Sequence, residues 1–387
     1  MYKRTLESSI LRQLSFFPVV AILGPRQSGK TTLAKQVMKA FSGANYLDME
    51  SPADQRKLED PELYLNSHSG KLIVIDEIQH RPELFPVIRS FVDKTERKSP
   101  LIILGSASQE LIRQGGETLA GRIALTELTP LTVTEVDNIP INEQWLRGGF
   151  PGSITAPDNE LSLQWREYFI RTFLERDLPM LGLRLSLPSL QRLLLLMAHN
   201  HGTLLNLSKT GELFGVSHTQ MRNYLDFLTG SFLLRTLPPC EPNLKKQIVR
   251  TPKIYYRDCG LLHSVLSIDS FDALLGNMIS GESWEGFVIE QVLSSVSSRW
   301  KASFYRTRQG AELDLVLEKG PHIIGVECKM HTAPSVTRGF WNCLDDLSIS
   351  PEQSWIVCPI DDVYPYKNGV RIGGIKQFID YMKSLDI

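Results

Sequence analysis

Cysteine is sparse in this chain. Five residues in 387, Cys240, Cys259, Cys328, Cys343 and Cys358, form no CxxC pair. An odd, scattered set in a chain of this length does not read as a disulfide framework, and reduced thiols are expected. Long hydrophobic runs are also missing. The longest purely apolar run beyond the first third, residues 193–198, is far short of the ~20 residues needed to cross a bilayer. The apolar stretch 16–23 enters a glycine loop rather than a cleavage site, so neither a signal peptide nor a membrane partner is expected. An excess of charge is absent too. Lys and Arg total 42 against 43 Asp and Glu, a net charge of -1. That balance excludes chain-wide attraction to nucleic acid or anionic lipid, so any such partner needs a local patch. With no internal repeat or low-complexity segment, the expectation is a soluble, cytoplasmic protein.

What is present is ordinary globular material, 42% hydrophobic and 22% charged, enough for two or three domains. Three short apolar runs, 19–23, 72–75 and 101–104, show no internal alternation, as strands buried on both faces of a parallel sheet do. Between the first two, Leu33, Val37 and Phe41 recur at helical spacing until Gly43, and residues 123–128 supply a further strand. This strand–loop–helix alternation defines an α/β class. Glycines and prolines between 148 and 157 read as a connection, with a boundary near 155. Residues 156–250 are expected to be helical. Gly215-Val216-Ser217 lies between two helical segments in a helix-turn-helix layout, and Leu233-Leu234-Arg235 leads into a small wing. A basic stretch of Lys245, Lys246, Arg250 and Lys253 follows. Residues 251–387 mix a helix over 282–295 with strands near 302–305, 312–317, 323–329 and 355–358, a second α/β domain.

The first domain carries the strongest motif. Gly24-Pro25-Arg26-Gln27-Ser28-Gly29-Lys30-Thr31 fits G-x-x-x-x-G-K-[ST], with a strand before it and a helix beginning through Thr32 after it. Glycines let the loop backbone wrap phosphate while the helix presents its positive end to the same anion. ATP is the expected ligand, with Lys30 on the β- and γ-phosphates and Thr31 on Mg²⁺. Downstream, an apolar run ends in Asp76-Glu77, placing acids at the carboxyl end of a buried strand, where ligands bind in open α/β sheets. Asp76 is expected to orient the Mg²⁺ shell and Glu77 the attacking water, which favours hydrolysis over transfer to a small molecule. Ser106, after the third run, is a candidate γ-phosphate sensor, or simply the start of a turn. Arg122 is a candidate to reach a neighbouring subunit's site and stabilise transition-state charge, or an ordinary solvated arginine.

The phosphate loop, Asp76-Glu77, Gly105-Ser106, Leu119-Ala120-Gly121-Arg122, Leu128-Thr129-Pro130-Leu131 and the later stretch from Pro252 through Tyr255, Asp258 and Gly260 together resemble a prokaryotic AAA-type ATPase family with an uncharacterised C-terminal domain. The resemblance covers nearly the whole chain. It implies an AAA+ core, a winged-helix middle, a nuclease-like end and assembly into a ring or filament. Ser106 stands where many AAA+ proteins carry Asn. Arg147, Arg171 and Arg176 are alternatives for a second sensor.

At the carboxyl end, Glu312-Leu313-Asp314 and Glu327-Cys328-Lys329 fall on two strands joined by a turn over 318–321. Side chains two apart on a strand share a face, so Asp314 and Glu327 converge with Lys329, and Glu285 on the preceding helix completes the set. Such a set binds Mg²⁺ and activates water toward a phosphodiester. It resembles the PD-(D/E)xK nucleases and archaeal Holliday-junction resolvases. Glu290 is expected on the solvated face of its helix. The second helix of the helix-turn-helix offers His218, Gln220 and Arg222 but also Asp226, poor charge for phosphate contact. His199-Asn200-His201 reads as capping or packing. The overall expectation is a Mg²⁺-dependent ATPase that couples nucleotide state to binding, remodelling or cleavage of DNA, branched DNA included. The alternative is a nucleotide-gated switch or scaffold for protein partners with an inactive nuclease fold.

Overall fold

The computed structural model describes residues 2–95, 99–105, 118–180, 182–240 and 249–386. Ser106, Lys245 and Lys246 lie outside the described residues. The chain divides into two compact units, Met1–Leu131 with Gly230–Phe232, and Thr132–Thr229 with Leu233–Ile387.

The first unit is built on five parallel strands, β1 (Val19–Leu23), β2 (Asn45–Asp48), β3 (Ile73–Asp76), β4 (Leu101–Gly105) and β5 (Ile123–Glu127), in the order β2-β3-β4-β1-β5. The lack of alternation in the apolar runs has a direct cause. Val19, Ala21, Ile73, Ile75, Leu101 and Ile103 enter a core on one face of the sheet, while Val20, Ile22, Val74, Ile102 and Leu104 enter a core on the other. Helix α1 (Leu6–Leu14) adds Ile10 and α2 (Lys30–Met38) adds Leu33, Ala34 and Val37 to the second of these. Helix α3 (Leu84–Lys94) adds Leu84, Phe85, Ile88 and Phe91 to the first. Edge strand β2 has no apolar run and is not legible in the sequence, because an edge position leaves Asn45 and Tyr46 half-exposed.

The second unit opens with α4 (Ile141–Arg147) and α5 (Asn159–Thr172), capped by Asp158, then runs through a π-helical segment at Phe173–Asp177 before α6 (Leu187–His199). Helices α7 (Leu207–Phe214) and α8 (His218–Gly230) flank Gly215, which closes α7 in the left-handed region. An antiparallel ribbon of β6 (Leu234–Leu237) and β7 (Lys253–Tyr256) follows. Helix α9 (Cys259–Val265) is capped by Asp258, whose carboxylate accepts from the Leu261 N–H at 2.9 Å and the Gly149 N–H at 2.8 Å. Gly260 packs so closely that a Cβ there would stand 2.1 Å from the Arg147 carbonyl oxygen. The Asp258-Cys259-Gly260 stretch therefore has a packing role, joining α9 to the glycines at 148 and 149.

Helix α10 (Ser280–Ser295) packs on a six-stranded mixed sheet of β8 (Lys301–Arg306), β9 (Glu312–Lys319), β10 (His322–Cys328), β11 (Ser354–Val357), β12 (Val363–Pro365) and β13 (Arg371–Gly373), in the order β12-β13-β11-β10-β9-β8. Its β9–β10 hairpin is tighter than the sequence implies. Lys319 pairs with His322, leaving Gly320-Pro321 as the turn. Glu290 departs from expectation. It is buried and ion-paired with Arg235 and Arg257, which cover the helix surface that the sequence leaves to solvent. His201 is a packing residue, accepting from the Tyr256 N–H at 2.9 Å through Nδ1 and donating to the Glu282 carbonyl through Nε2. Burial lowers its pKa to about 3 and keeps it neutral.

Candidate functional site

The loop between β1 and α2 is held open by its own backbone. Gln27 and Gly29 adopt φ of 61° and 97°, and the Ser28 N–H between them turns back to the Pro25 carbonyl at 3.4 Å. Gly24 has φ 154°, and a Cβ there would lie 2.1 Å from the Leu128 carbonyl oxygen, so no other residue fits. Lys30 is buried, and its ammonium donates to the Gly24 and Pro25 carbonyls at 3.0 and 2.9 Å. The Ser28 hydroxyl closes on Pro25 O at 2.9 Å. Arg26 pairs with Glu50 at 3.0 Å, and Thr32 is exposed on the first turn of α2.

Because β4 intervenes between β1 and β3, Asp76 meets the start of α2 from the carboxyl end of a non-adjacent strand. Thr31 Oγ1 donates to Asp76 Oδ2 at 2.6 Å, and Tyr46 on β2 donates its hydroxyl to the same oxygen at 2.6 Å. Burial and the neighbouring Asp76 push the Tyr46 hydroxyl above its usual range, so it stays a neutral donor. Asp76 Oδ1 accepts from the Glu77 N–H at 2.9 Å, and Glu77, in the left-handed region at φ 52°, takes a hydrogen bond from the Gln79 amide. A hydroxyl and a carboxylate at this separation are hard oxygen donors suited to Mg²⁺, so the residues present fit that ion.

Arg4 is a feature that sequence reasoning missed. It is buried beneath the loop, with Nη1 donating to Ser28 O at 2.8 Å and Nη2 to Thr129 O at 2.6 Å. Nothing in its local pattern marks it, because its partners are 24 and 125 residues away. Tyr46 was missed for a similar reason, lying on the edge strand. Arg122 forms a two-point pair with Asp93 of the same chain, Nε to Oδ1 at 2.7 Å and Nη2 to Oδ2 at 3.0 Å. In the second unit, Arg147 is buried and bonded to Asn159 and the Ala156 carbonyl, and Arg171 pairs with Glu175.

The carboxyl-terminal residues also come together. Asp314 Oδ2 accepts from the Cys328 N–H at 2.8 Å, and Glu327 pairs with Lys329 at 2.5 Å. Glu285 projects from α10 to the same cluster. Its Oε1 takes the Tyr255 hydroxyl at 2.5 Å and the Lys253 ammonium at 2.7 Å, and that ammonium also lies 2.6 Å from Glu312 Oε1. Burial and the neighbouring Asp314 charge raise Glu285 to about 7 and Glu327 to about 8. Burial alone lowers the Lys253 pKa, but Glu285, Asp314 and Glu312 outweigh it and hold the ammonium charged. Lys253 and Tyr255, two apart on β7, are the members that the sequence did not reveal. Their spacing was the available signal. Among the described residues, no three His, Cys, Asp or Glu side chains stand ready to hold a metal ion, so this set does not fit a divalent cation as it stands. No described helix is long and apolar enough to cross a membrane.

Residues 17–137 match an AAA domain, residues 140–272 a domain of unknown function (DUF8612) and residues 280–378 another (DUF4143). Over 368 residues the chain is 42% identical to uncharacterized protein Rv2008c of Mycobacterium tuberculosis and to uncharacterized protein Mb2031c of Mycobacterium bovis, covering 95% of this chain and 82% of each relative. Among solved structures, the Walker-type ATPase PABY2304 of Pyrococcus abyssi is 15% identical, with a TM-score of 0.48 over 69% of this chain and 96% of that one. The RuvB Holliday junction branch migration motor of Thermotoga maritima is 16% identical, with a TM-score of 0.26 over 60% and 89%.

Proposed function

Because the chain belongs to the family of Rv2008c and Mb2031c and carries an AAA domain at residues 17–137, we propose that it is a Mg²⁺-dependent ATPase whose turnover drives DNA binding or remodelling by its carboxyl-terminal half. The observation that carries this reading is the convergence of Lys30, Thr31, Asp76 and Glu77 at one end of the parallel sheet. The loop from Gly24 to Thr32 cradles the α- and β-phosphates through its backbone N–H groups, Pro25 having none to donate. Lys30 exchanges its two carbonyl partners for the β- and γ-phosphate oxygens. Thr31 and Asp76 hold Mg²⁺, which supplies charge neutralisation on the phosphate chain when bound. Glu77 then orients water and accepts its proton. Ser106 follows β4 as a γ-phosphate sensor, and Arg122 completes a neighbour's site in a ring or filament once it leaves Asp93.

In this reading the helix-turn-helix and its ribbon form a winged-helix unit, with residues His218, Thr219, Arg222 and Asn223 of α8 exposed for contact. The sheet bearing Asp314 and Glu327 is nuclease-like. The competing reading, a nucleotide-gated scaffold for protein partners with an inactive nuclease fold, is favoured by one observation, the lysine seated between Glu285 and Glu312. The discriminating experiment measures ATPase rate in Mg²⁺ with and without branched, single-stranded and duplex DNA, scoring DNA integrity in the same samples. Stimulation by DNA supports the first reading. ATP turnover indifferent to every DNA moves the assignment to the scaffold, and absent turnover with intact ATP binding overturns the ATPase.

A further inference from the structure

Lys253 is a charged residue only 2% exposed, and a buried ammonium needs compensating charge and hydrogen bonds. It has both. Its Nζ lies 2.7 Å from Glu285 Oε1 and 2.6 Å from Glu312 Oε1, hydrogen-bond distances to carboxylates on two different elements. The face of the Phe304 ring closes another side at 5.5 Å from its centroid, a surface that suits an ammonium and offers no ligand to a hydrated metal. We propose that Lys253 is the resident cation of this carboxylate cluster, occupying the place of a divalent metal, so that the nuclease-like domain binds its partner without metal-dependent cleavage. The inference rests on reading that domain as nuclease-like.

The donor arrangement supports it. Glu285 Oε1 already accepts from both Lys253 and Tyr255. Glu312 is further paired with Arg306 at 3.1 Å, Glu327 with Lys329 at 2.5 Å, and Asp314 accepts a backbone N–H. Lys253, Lys329 and Arg306 thus face Glu285, Glu312, Asp314 and Glu327, three cations against four carboxylates. A divalent ion demands about six oxygen ligands, and here chain donors already take Glu285 Oε1, Glu312 Oε2, Glu327 Oε1 and Asp314 Oδ2, while Glu327 Oε2 is buried without a hydrogen-bond partner. Lys253 belongs to β7, so the same contact ties the ribbon after the helix-turn-helix to the sheet bearing Asp314.

The test is Mn²⁺ binding by the full-length, nucleotide-free chain, followed by electron paramagnetic resonance, with DNA cleavage and ATPase activity measured on the same preparations. The unaltered chain and Asp314→Asn are expected to bind the same number of Mn²⁺ ions, and neither cuts DNA. Lys253→Met is expected to bind about one ion more per chain, and the added Glu285→Gln change to remove it. An Asp314→Asn variant that binds one ion fewer than the unaltered chain, or a metal-dependent cut that it abolishes, overturns the proposal. So does a folded Lys253→Met chain with no extra ion. The Asp314→Asn comparison stands if Lys253→Met does not fold. Loss of ATPase activity throughout would count against the proposed function and leave this inference standing.

Discussion

Replacing Arg4 by alanine tests whether the phosphate loop is held from beneath. The guanidinium donates to Ser28 O at 2.8 Å and Thr129 O at 2.6 Å, with a weaker contact to Pro130 O at 3.4 Å, so one side chain ties the loop to the segment after β5. A hydrogen bond from a charged donor contributes about 1.5–3 kcal/mol, and a buried carbonyl left without a donor costs about 1–3 kcal/mol. Water entering the vacated space recovers part of this, leaving a loss of ~3 kcal/mol in the first unit. For a domain of this size that is a fall of about 10 °C in Tm. All six tryptophans lie beyond residue 131, so tryptophan fluorescence reports the second unit alone. Calorimetry and hydrogen exchange over residues 24–32 are the suitable probes, paired with nucleotide titration. The expected result is a lowered first transition, faster exchange in the loop and ATP affinity weakened by about tenfold, the equivalent of 1.4 kcal/mol. Arg4→Lys should fall between, because one ammonium cannot reproduce the planar two-sided reach. An Arg4→Ala chain that melts within 1 °C of the parent (roughly 0.3 kcal/mol) and binds ATP equally well would refute the reasoning.

Tyr46→Phe removes one of the donors on Asp76 Oδ2. The Mg²⁺ concentration for half-maximal ATPase activity should rise by about tenfold with a smaller change in kcat, and an unchanged Mg²⁺ dependence would exclude Tyr46 as a positioning residue. Arg122→Ala should abolish turnover while leaving ATP binding nearly intact, and Asp93→Ala, which frees Arg122, should preserve or raise turnover. Equal loss of binding and turnover in Arg122→Ala would instead make the Arg122–Asp93 pair structural. Glu327, beside Asp314, Lys329 and Glu285, has its folded-state pKa raised from 4.5 to about 8. The folded state then holds more protons than the unfolded state between those values, so its contribution to stability is present at low pH and is lost as pH rises toward about 8. Burial of His201, which lowers its pKa to about 3, acts oppositely, removing stability as pH falls below about 6.5. Glu327→Gln should flatten the alkaline side of a Tm profile between pH 5 and 9 and raise Tm most above about pH 8. An unchanged profile would mean that Glu327 ionises normally in the fold.

The amino-terminal fold was legible because its determinants are local. A strand buried on both faces must be apolar at successive positions, and Val19–Leu23, Ile73–Asp76 and Leu101–Gly105 display that requirement openly. The phosphate loop is equally local, since one short segment supplies glycines, lysine and threonine in a fixed spacing. The hairpin that turns at Gly320-Pro321 likewise brings Asp314 and Glu327 to the same end of two paired strands, one position beyond the Leu315–Val326 pair. Long-range partners were beyond that reach. Arg4 reads as a charged residue near a chain end, Glu290 as a solvated helix residue and Lys253 as one member of a basic stretch, yet each is buried against groups far away in sequence. The sequence by itself marked where the proposed phosphate site lies, because that motif needs one loop and one strand end. Only the tertiary structure decided which charges are neutralised inside the protein, because burial of a charge depends on what covers it. For Lys253 the cover is a helix and two strands that no local pattern joins.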